Sequence, residues 1–382
     1  MSIKHVTGFI LALLCPLTLS CNDGMPIEVE NKPSGRTTFA AVEAFGSGAS
    51  FRASWADVDG DLSPDLAVAN DGQNYLYVND GNGTFTESAA FGQAKDRAAY
   101  WVDTDGDTDL DVITLGDDKN CIWVNNDGNF TELAVLGSGG KGISWGDLDG
   151  DTDLDFVLSI WPSSTVVLRN QGNNTFELIA QLPKSISSAV ADVDGDTVND
   201  ILLGAGCCLD SSAVYKNDGS AAFTLLQKFG DKMKETLGFA MADYDGDDDI
   251  DMIPIDFDES GEGEVRIHDN KGDGTFTPGK RVTSGSALWV EWIDIEGDGD
   301  YDVFTLTLAA TGVSLDVHYN VRRSFVTRNI ERIPDMGGDL ISFFALADVD
   351  RDGDLDIATM RATSTGGAAA NKLLLQGFQE VE

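Results

Sequence analysis

The chain has 382 residues, with 42 glycines, 65 acidic against 25 basic side chains, a formal charge of −40 and a hydrophobic fraction of 42%. Enough apolar surface is present to bury a core, which excludes a disordered polymer. Nucleic acid and anionic lipid are excluded as partners because an acidic surface repels both, whereas cations are attracted.

The first segment, residues 1–20, reads as an export signal: Lys4 and His5 precede an apolar run from Gly8 to Leu14, and Thr18, Leu19 and Ser20 lead into Cys21. The passage into Cys21 resembles a bacterial lipobox, which implies lipidation of Cys21 and a membrane hold through acyl chains alone. The alternative is a plain cleaved signal that leaves Cys21 as an ordinary thiol. No later apolar run approaches the roughly 20 residues needed to span a bilayer. Residues 21–36 contain Pro, Gly and charge without periodicity and are expected to form a tether, leaving 37–382 as one domain. The expected location is extracytoplasmic, as an envelope lipoprotein at the outer membrane or surface or as a secreted protein. Cys121, Cys207 and Cys208 are too few for a disulfide scaffold. Vicinal Cys207 and Cys208 read either as small apolar residues at a strand end or as a strained disulfide.

Beyond the tether the chain repeats itself. Acidic loops begin at Asp57, Asp103, Asp147, Asp192, Asp243, Asp294 and Asp348, separated by 46, 44, 45, 51, 51 and 54 residues. That period suits one four-stranded blade per repeat. Two residues before each loop stands a large apolar residue: Trp55, Trp101, Trp145, Val190, Met241, Trp292 or Leu346. Each loop is followed by a short apolar run opened by Leu66, Val112, Phe156, Ile201, Met252, Val303 or Ile357. Runs such as 75–79 and 121–125, then a Gly/Asn turn and a segment such as 84–87, supply a third and a fourth strand. The last repeat runs out of chain after its third strand, while residues 37–45 look like a fourth strand with no blade before them. The expected fold is therefore all-β: a seven-bladed β-propeller of four-stranded blades, its ring closed by an N-terminal strand joining the C-terminal blade, which removes a free sheet edge.

The loops carry the chemistry. Positions one, three, five and nine are acidic in every copy: Asp57, Asp59, Asp61 and Asp65; Asp103, Asp105, Asp107 and Asp111; Asp147, Asp149, Asp151 and Asp155; Asp192, Asp194, Asp196 and Asp200; Asp243, Asp245, Asp247 and Asp251; Asp294, Glu296, Asp298 and Asp302; Asp348, Asp350, Asp352 and Asp356. Calcium takes six to eight hard oxygens at about 2.3–2.6 Å, and alternate carboxylates of a short loop can surround it. Position seven varies and includes Val198, so a main-chain carbonyl is the common donor there. Glycine stands at position four or six of every loop, where a positive φ would fold the chain around an ion. Four neighbouring carboxylates repel without a counter-ion. Up to seven calcium ions are thus expected, which would bring −40 to about −26. The small octahedral shell of magnesium suits water-rich sites and is disfavoured.

Loops such as 145-WGDLDGDTDLD-155, followed by hairpins such as 79-NDGNGTF-85, resemble the FG-GAP/VCBS repeats of integrin α-subunit propellers and of many bacterial secreted proteins. The resemblance covers about 37–382. It implies an ion between the first two strands of a blade, held by positions one, three, five, seven and nine. Departures are Pro64 and Asn199 at position eight and the altered hairpin at 319–328.

Three functions compete. A rigid disc with variable loops suits a non-enzymatic, monomeric adhesion or binding module for glycan or protein at the cell envelope. Candidate contacts are the irregular segments 204–212, 226–237, 256–264 and 327–339, the Trp161-Pro162 platform, and Arg322, Arg323, Arg328 and Arg332; the structural alternatives are a blade-edge cap and a solvated strand face. A polysaccharide lyase or hydrolase is the second reading. Against it, His268 and His318 lack metal spacing and no catalytic constellation or organic cofactor signature is present. A structural subunit of an envelope complex is the third.

Overall fold

The computed structural model describes residues 36–379 except 44–46, 49, 71, 93–95, 127, 173–174, 207–210, 221, 231–233, 258–262, 295–298, 310–311, 322, 330–339, 353–354 and 363–368. The signal at 1–20, Cys21, the tether up to residue 35, Cys207, Cys208, Glu296, Asp298, Arg322, Arg332 and most of 256–264 and 327–339 lie outside the described residues. Regular structure among those described is entirely β, and no helix is long and apolar enough to cross a membrane.

Each repeat folds as a four-stranded antiparallel meander. In blade one, Ser50–Ala56 pairs with Asp65–Asn70, that strand with Asn74–Asn79, and that with Phe85–Phe91. The gradient of burial follows the residue types. Second strands such as Asp111–Gly116 are buried on both faces, whereas the fourth strand Phe85–Phe91 is largely exposed, with only Phe91 buried. Seven four-stranded sheets result, with a two-stranded ribbon of Ser47–Gly48 and Ala369–Ala370 beside them.

The seventh sheet is built from both ends of the chain. Leu340–Ala347, Asp356–Ala362 and Lys372–Gln379 are its first three strands, and Arg36–Glu43 pairs antiparallel with the third, Phe39 opposite Gln376. The expected closing strand is therefore present, over Arg36–Glu43.

Neighbouring blades meet through apolar clusters that make a circuit. Leu76 and Phe91 of blade one pack with Trp101 and Val112 of blade two, and equivalent clusters join blades two to three, three to four, four to five and five to six. The circuit closes where Trp289 and Phe304 of blade six, Phe343 and Phe344 of blade seven, and Ala53 and Trp55 of blade one share one cluster. The Trp289 and Phe343 rings there are 4.8 Å apart, edge to face.

Candidate metal centres

Every acidic loop joins the first strand of a blade to the second, so the seven loops lie at the same end of their blades. Within a loop the carboxylates first organise the backbone. In loop three, Asp147 accepts from Gly150 N at 2.7 Å and from Thr152 N at 3.1 Å, Asp149 from Asp151 N at 3.3 Å, and Asp151 from Asp153 N at 3.0 Å. The same pattern recurs in loops one, two and four.

In loops one to five these bonds go with two left-handed residues per loop. Position four is left-handed at Gly60, Gly106, Gly150, Gly195 and Gly246, and also at Arg351 in loop seven. Position six is left-handed too, although Leu62, Thr108, Thr152, Thr197 and Asp248 occupy it at φ 71–78°. Glycine at one place was expected; a second, strained place was not, because its residue types conceal it.

The ninth residue is the keystone. Asp65, Asp111, Asp155, Asp200, Asp251, Asp302 and Asp356 are all 0–3% exposed. Asp155 accepts from Leu148 N at 2.9 Å and from Asn170 N at 2.8 Å, so one carboxylate ties its own loop to the third strand. Asp65, Asp111 and Asp200 do the same. Burial pushes the Asp65, Asp155 and Asp200 carboxyls up to about 6 and that of Asp251 up to about 7. The third-position carboxyls Asp149, Asp245 and Asp350 are also raised, first by burial and then by the fifth-position Asp of the same loop.

Oxygens of the first, third and ninth residues approach within 4.8 Å of one another in loops two to five: Asp103, Asp105 and Asp111; Asp147, Asp149 and Asp155; Asp192, Asp194 and Asp200; Asp243, Asp245 and Asp251. Loop one brings Asp57, Asp59 and Asp61 together instead. The fifth-position residues Asp107, Asp151, Asp196 and Asp247 are exposed and cap the amide of position seven. In loop six, Asp294 accepts from Gly299 N at 2.9 Å and Asp302 from Asn320 N at 2.7 Å. In loop seven, Asp348 and Asp350 accept from Asp352 N, and Asp356 from Val349 N at 2.9 Å.

Loop five tests the fit to a cation. Asp251 Oδ2 and Asp245 Oδ1 are buried without a hydrogen-bond partner. Two solvent-stripped carboxylate oxygens in one loop are costly unless a cation joins them. Hard oxygens of this kind fit a hard cation such as calcium.

One recurrent residue escaped the sequence reading. Asn79, Asn125, Asn170, Asn217, Asn270 and Asn320 end the third strands. Asn170 Nδ2 donates to Thr104 O of the preceding blade's loop at 2.8 Å, Asn217 to Leu148 O at 2.7 Å, Asn270 to Val193 O at 2.8 Å, and Asn79 to Val349 O of blade seven at 2.8 Å. Blades one, three, four and five thus staple the acidic loop before them, whereas Asn125 Nδ2 donates to Leu110 O of its own loop at 3.1 Å. The signal was its repetition one strand after the acidic loop.

The remaining singled-out residues have structural surroundings. His318 is buried between Thr305 Oγ1 and Thr327 Oγ1, both at 2.9 Å, and is pushed down to about 4 by burial. His268 lies against the Phe229 ring. Arg323 is exposed and pairs with Asp245 of loop five at 3.4 Å. Cys121 is a buried free thiol.

A family model described as FG-GAP-like repeat matches residues 57–114 and 103–158. No curated protein matches. Among solved structures, an Agrocybe aegerita lectin that recognises non-reducing terminal N-acetylglucosamine is 20% identical, with 78% of this chain and 81% of that one covered and a TM-score of 0.51. BBS1N, solved in complex with ARL6DN, is 11% identical over 89% of this chain and 97% of that one, with a TM-score of 0.58. The extracellular domain of BT4673 from B. thetaiotaomicron is 10% identical at a TM-score of 0.53; the match covers 88% of this chain but 39% of that one. The chain is an all-β protein of seven repeated four-stranded sheets, a β-propeller that carries FG-GAP-like repeats.

Proposed function

We propose that the protein is a calcium-stabilised binding module that works outside the cytoplasm and recognises a glycan or protein at the cell envelope. The observation that carries the calcium part is loop five, whose buried Asp245 Oδ1 and Asp251 Oδ2 have no partner of their own. The Asn staples make loops two, three, four and seven part of the joint between blades, so an ion in one of them stiffens the ring as well as the loop. The binding part is supported by the fold's likeness to a lectin and to an extracellular domain. The export-like segment at 1–20 and Cys21 fit display at a membrane surface.

Thermal unfolding in calcium and in chelator tests the metal. A site filled at a hundredfold excess over its Kd adds about 2.7 kcal/mol, so several filled loops should raise Tm by more than about 10 °C. A Tm indifferent to chelator would sink the assignment. Glycan arrays and envelope pull-downs in calcium test recognition, and silence in both would remove it.

A further inference from the structure

At the end of the ring opposite the acidic loops, the first strands of all seven blades surround a cavity of about 600 Å³, a size typical of small-molecule sites. Its wall has two arcs. Blades one to three contribute Arg52, Arg97 and Lys141, whereas blades four to six contribute Ile186, Leu237 and Leu288. Five of these positions are equivalent in the repeat, six residues before the loops that begin at Asp103, Asp147, Asp192, Asp243 and Asp294. The division is thus one of residue choice at a fixed place in the blade.

Three cations in one cavity invert the balance of a chain with 65 acidic and 25 basic residues. Glu235 is the acid in the wall, and Asp117 stands beside Arg97 and Lys141. Arg52 is held in a fixed pose: its guanidinium lies 5.8, 5.1 and 4.8 Å from the Tyr100, Trp289 and Phe343 ring centres and donates to Tyr100 Oη at 2.5 Å. Arg97 is oriented by a two-point bond to Asp117 at 2.9 and 2.6 Å. Lys141 Nζ is 3.8 Å from Asp117, beyond hydrogen-bond distance, and its side chain is exposed. Trp161, half-buried, lines the same cavity as Lys141.

We infer that this axial cavity binds the carboxylate-bearing terminal sugar of an acidic glycan, the carboxylate meeting the arc of Arg52, Arg97 and Lys141 and a sugar face lying on Trp161. This rests on the binding-module reading and names its ligand class and place. A pre-organised Arg fork suits a planar carboxylate, and an aromatic face beside it suits the C–H face of a pyranose. Glu235 accepts from sugar hydroxyls. Walls on every side admit the end of a chain, which disfavours a peptide running through.

The test is calorimetric titration of the full chain, in calcium, with trigalacturonate, maltotriose, a sulfated disaccharide and hexaglutamate. Trigalacturonate should bind, maltotriose at least about tenfold more weakly, since a charged hydrogen bond is worth about that factor. Lys141→Glu, on an exposed side chain, should lose about tenfold in affinity with Tm and its calcium response unchanged, and Trp161→Ala should lose several-fold. Stronger binding of the sulfated sugar or of hexaglutamate than of trigalacturonate would overturn the ligand class. Glycan or envelope binding that Lys141→Glu leaves untouched would overturn the cavity while the binding-module reading stands. No binding of any glycan or envelope protein would remove both.

Discussion

Loops four and five share a sequence pattern and a backbone, yet their carboxylates are satisfied differently. In loop four the Lys216 ammonium lies against Asp194 and Asp196, the latter at 2.9 Å, and Asp200 accepts from Val193 N and Asn217 N. In loop five Asp251 accepts from Asn270 N at 2.8 Å, but its second oxygen and one of Asp245 are left without partners. Loop four is neutralised by a side chain of its own blade; in loop five the exposed Arg323 guanidinium stands 3.4 Å from Asp245 Oδ2, yet Asp245 Oδ1 and Asp251 Oδ2 stay buried without a partner, a place suited to a cation. An acidic repeat motif therefore marks a place in the fold, and the neighbouring cation decides how strongly that place depends on an ion.

The largest expected separation comes from replacing the keystone in each loop. Asp251→Asn should remove the calcium-dependent share of loop five, about 3 kcal/mol when the site is well filled, and should cost less in chelator. Asp200→Asn should cost about 1–3 kcal/mol whether or not calcium is present, since it loses an acceptor for a buried amide. Denaturant titrations of both variants with and without calcium measure this. Equal calcium dependence of the two costs would erase the distinction between the loops.

The pH dependence sharpens it further. An unfolded Asp titrates near about 3.9, whereas burial holds Asp65, Asp155 and Asp200 at about 6 and Asp251 at about 7. A carboxyl raised in the folded state contributes stability that is full below the unfolded value and is lost as pH rises through the folded one. In chelator, Tm should therefore fall between pH 5 and pH 8. Bound calcium favours the ionised form and should remove that slope. His318, pushed down to about 4, and His268, also pushed down by burial, work in the other direction, losing stability as pH falls below the unfolded value of about 6.5, but they are two groups against several. A chelated protein whose Tm rises steadily from pH 5 to pH 8 would contradict the burial argument.

Lys216→Met should have a smaller effect. The ammonium is 38% exposed and Asp196 36%, although Asp194 is only 8% exposed, so the contacts together contribute on the order of 1 kcal/mol. Without it loop four becomes like loop five, and stability in calcium should exceed that in chelator by more than it does in the parent chain. An unchanged difference would mean that the lysine does not stand in for an ion.

What could be read before the fold was known follows from repetition. Seven copies of one loop act as an internal alignment, so the blades, the keystone positions and the closing strand near residue 37 were legible. The asparagines repeat in six blades, at Asn79 through Asn320, but the partners of Asn79, Asn170, Asn217 and Asn270 lie in the preceding blade, at Thr104 for Asn170, and no local pattern announces a contact 66 residues away. Lys216 was silent because it belongs to the third strand and meets Asp194 only after the sheet has formed. The axial cavity was hidden in the same way: Arg52, Arg97 and Lys141 come from three blades and form a patch only once the ring is closed.

The smallest predicted effect concerns strain shared by the two loops. Thr197 in loop four and Asp248 in loop five occupy the sixth position at φ 73° and 71°. Both are exposed, and both amides are held by the first Asp of the loop, Thr197 N to Asp192 at 2.9 Å and Asp248 N to Asp243 at 3.1 Å. A β-branched residue tolerates the left-handed region poorly, at a cost of about 1–2 kcal/mol, whereas aspartate enters it more easily. Glycine removes that cost but loses chain entropy on folding, about 0.5–1 kcal/mol. Thr197→Gly should therefore stabilise the protein by about 0.5 kcal/mol, and Asp248→Gly by less, in denaturant titrations in calcium. A loss on Thr197→Gly would show that the threonine side chain contributes more to the folded loop than its backbone costs, and would make the sixth position a designed contact rather than a strained hinge for the carboxylate of position one.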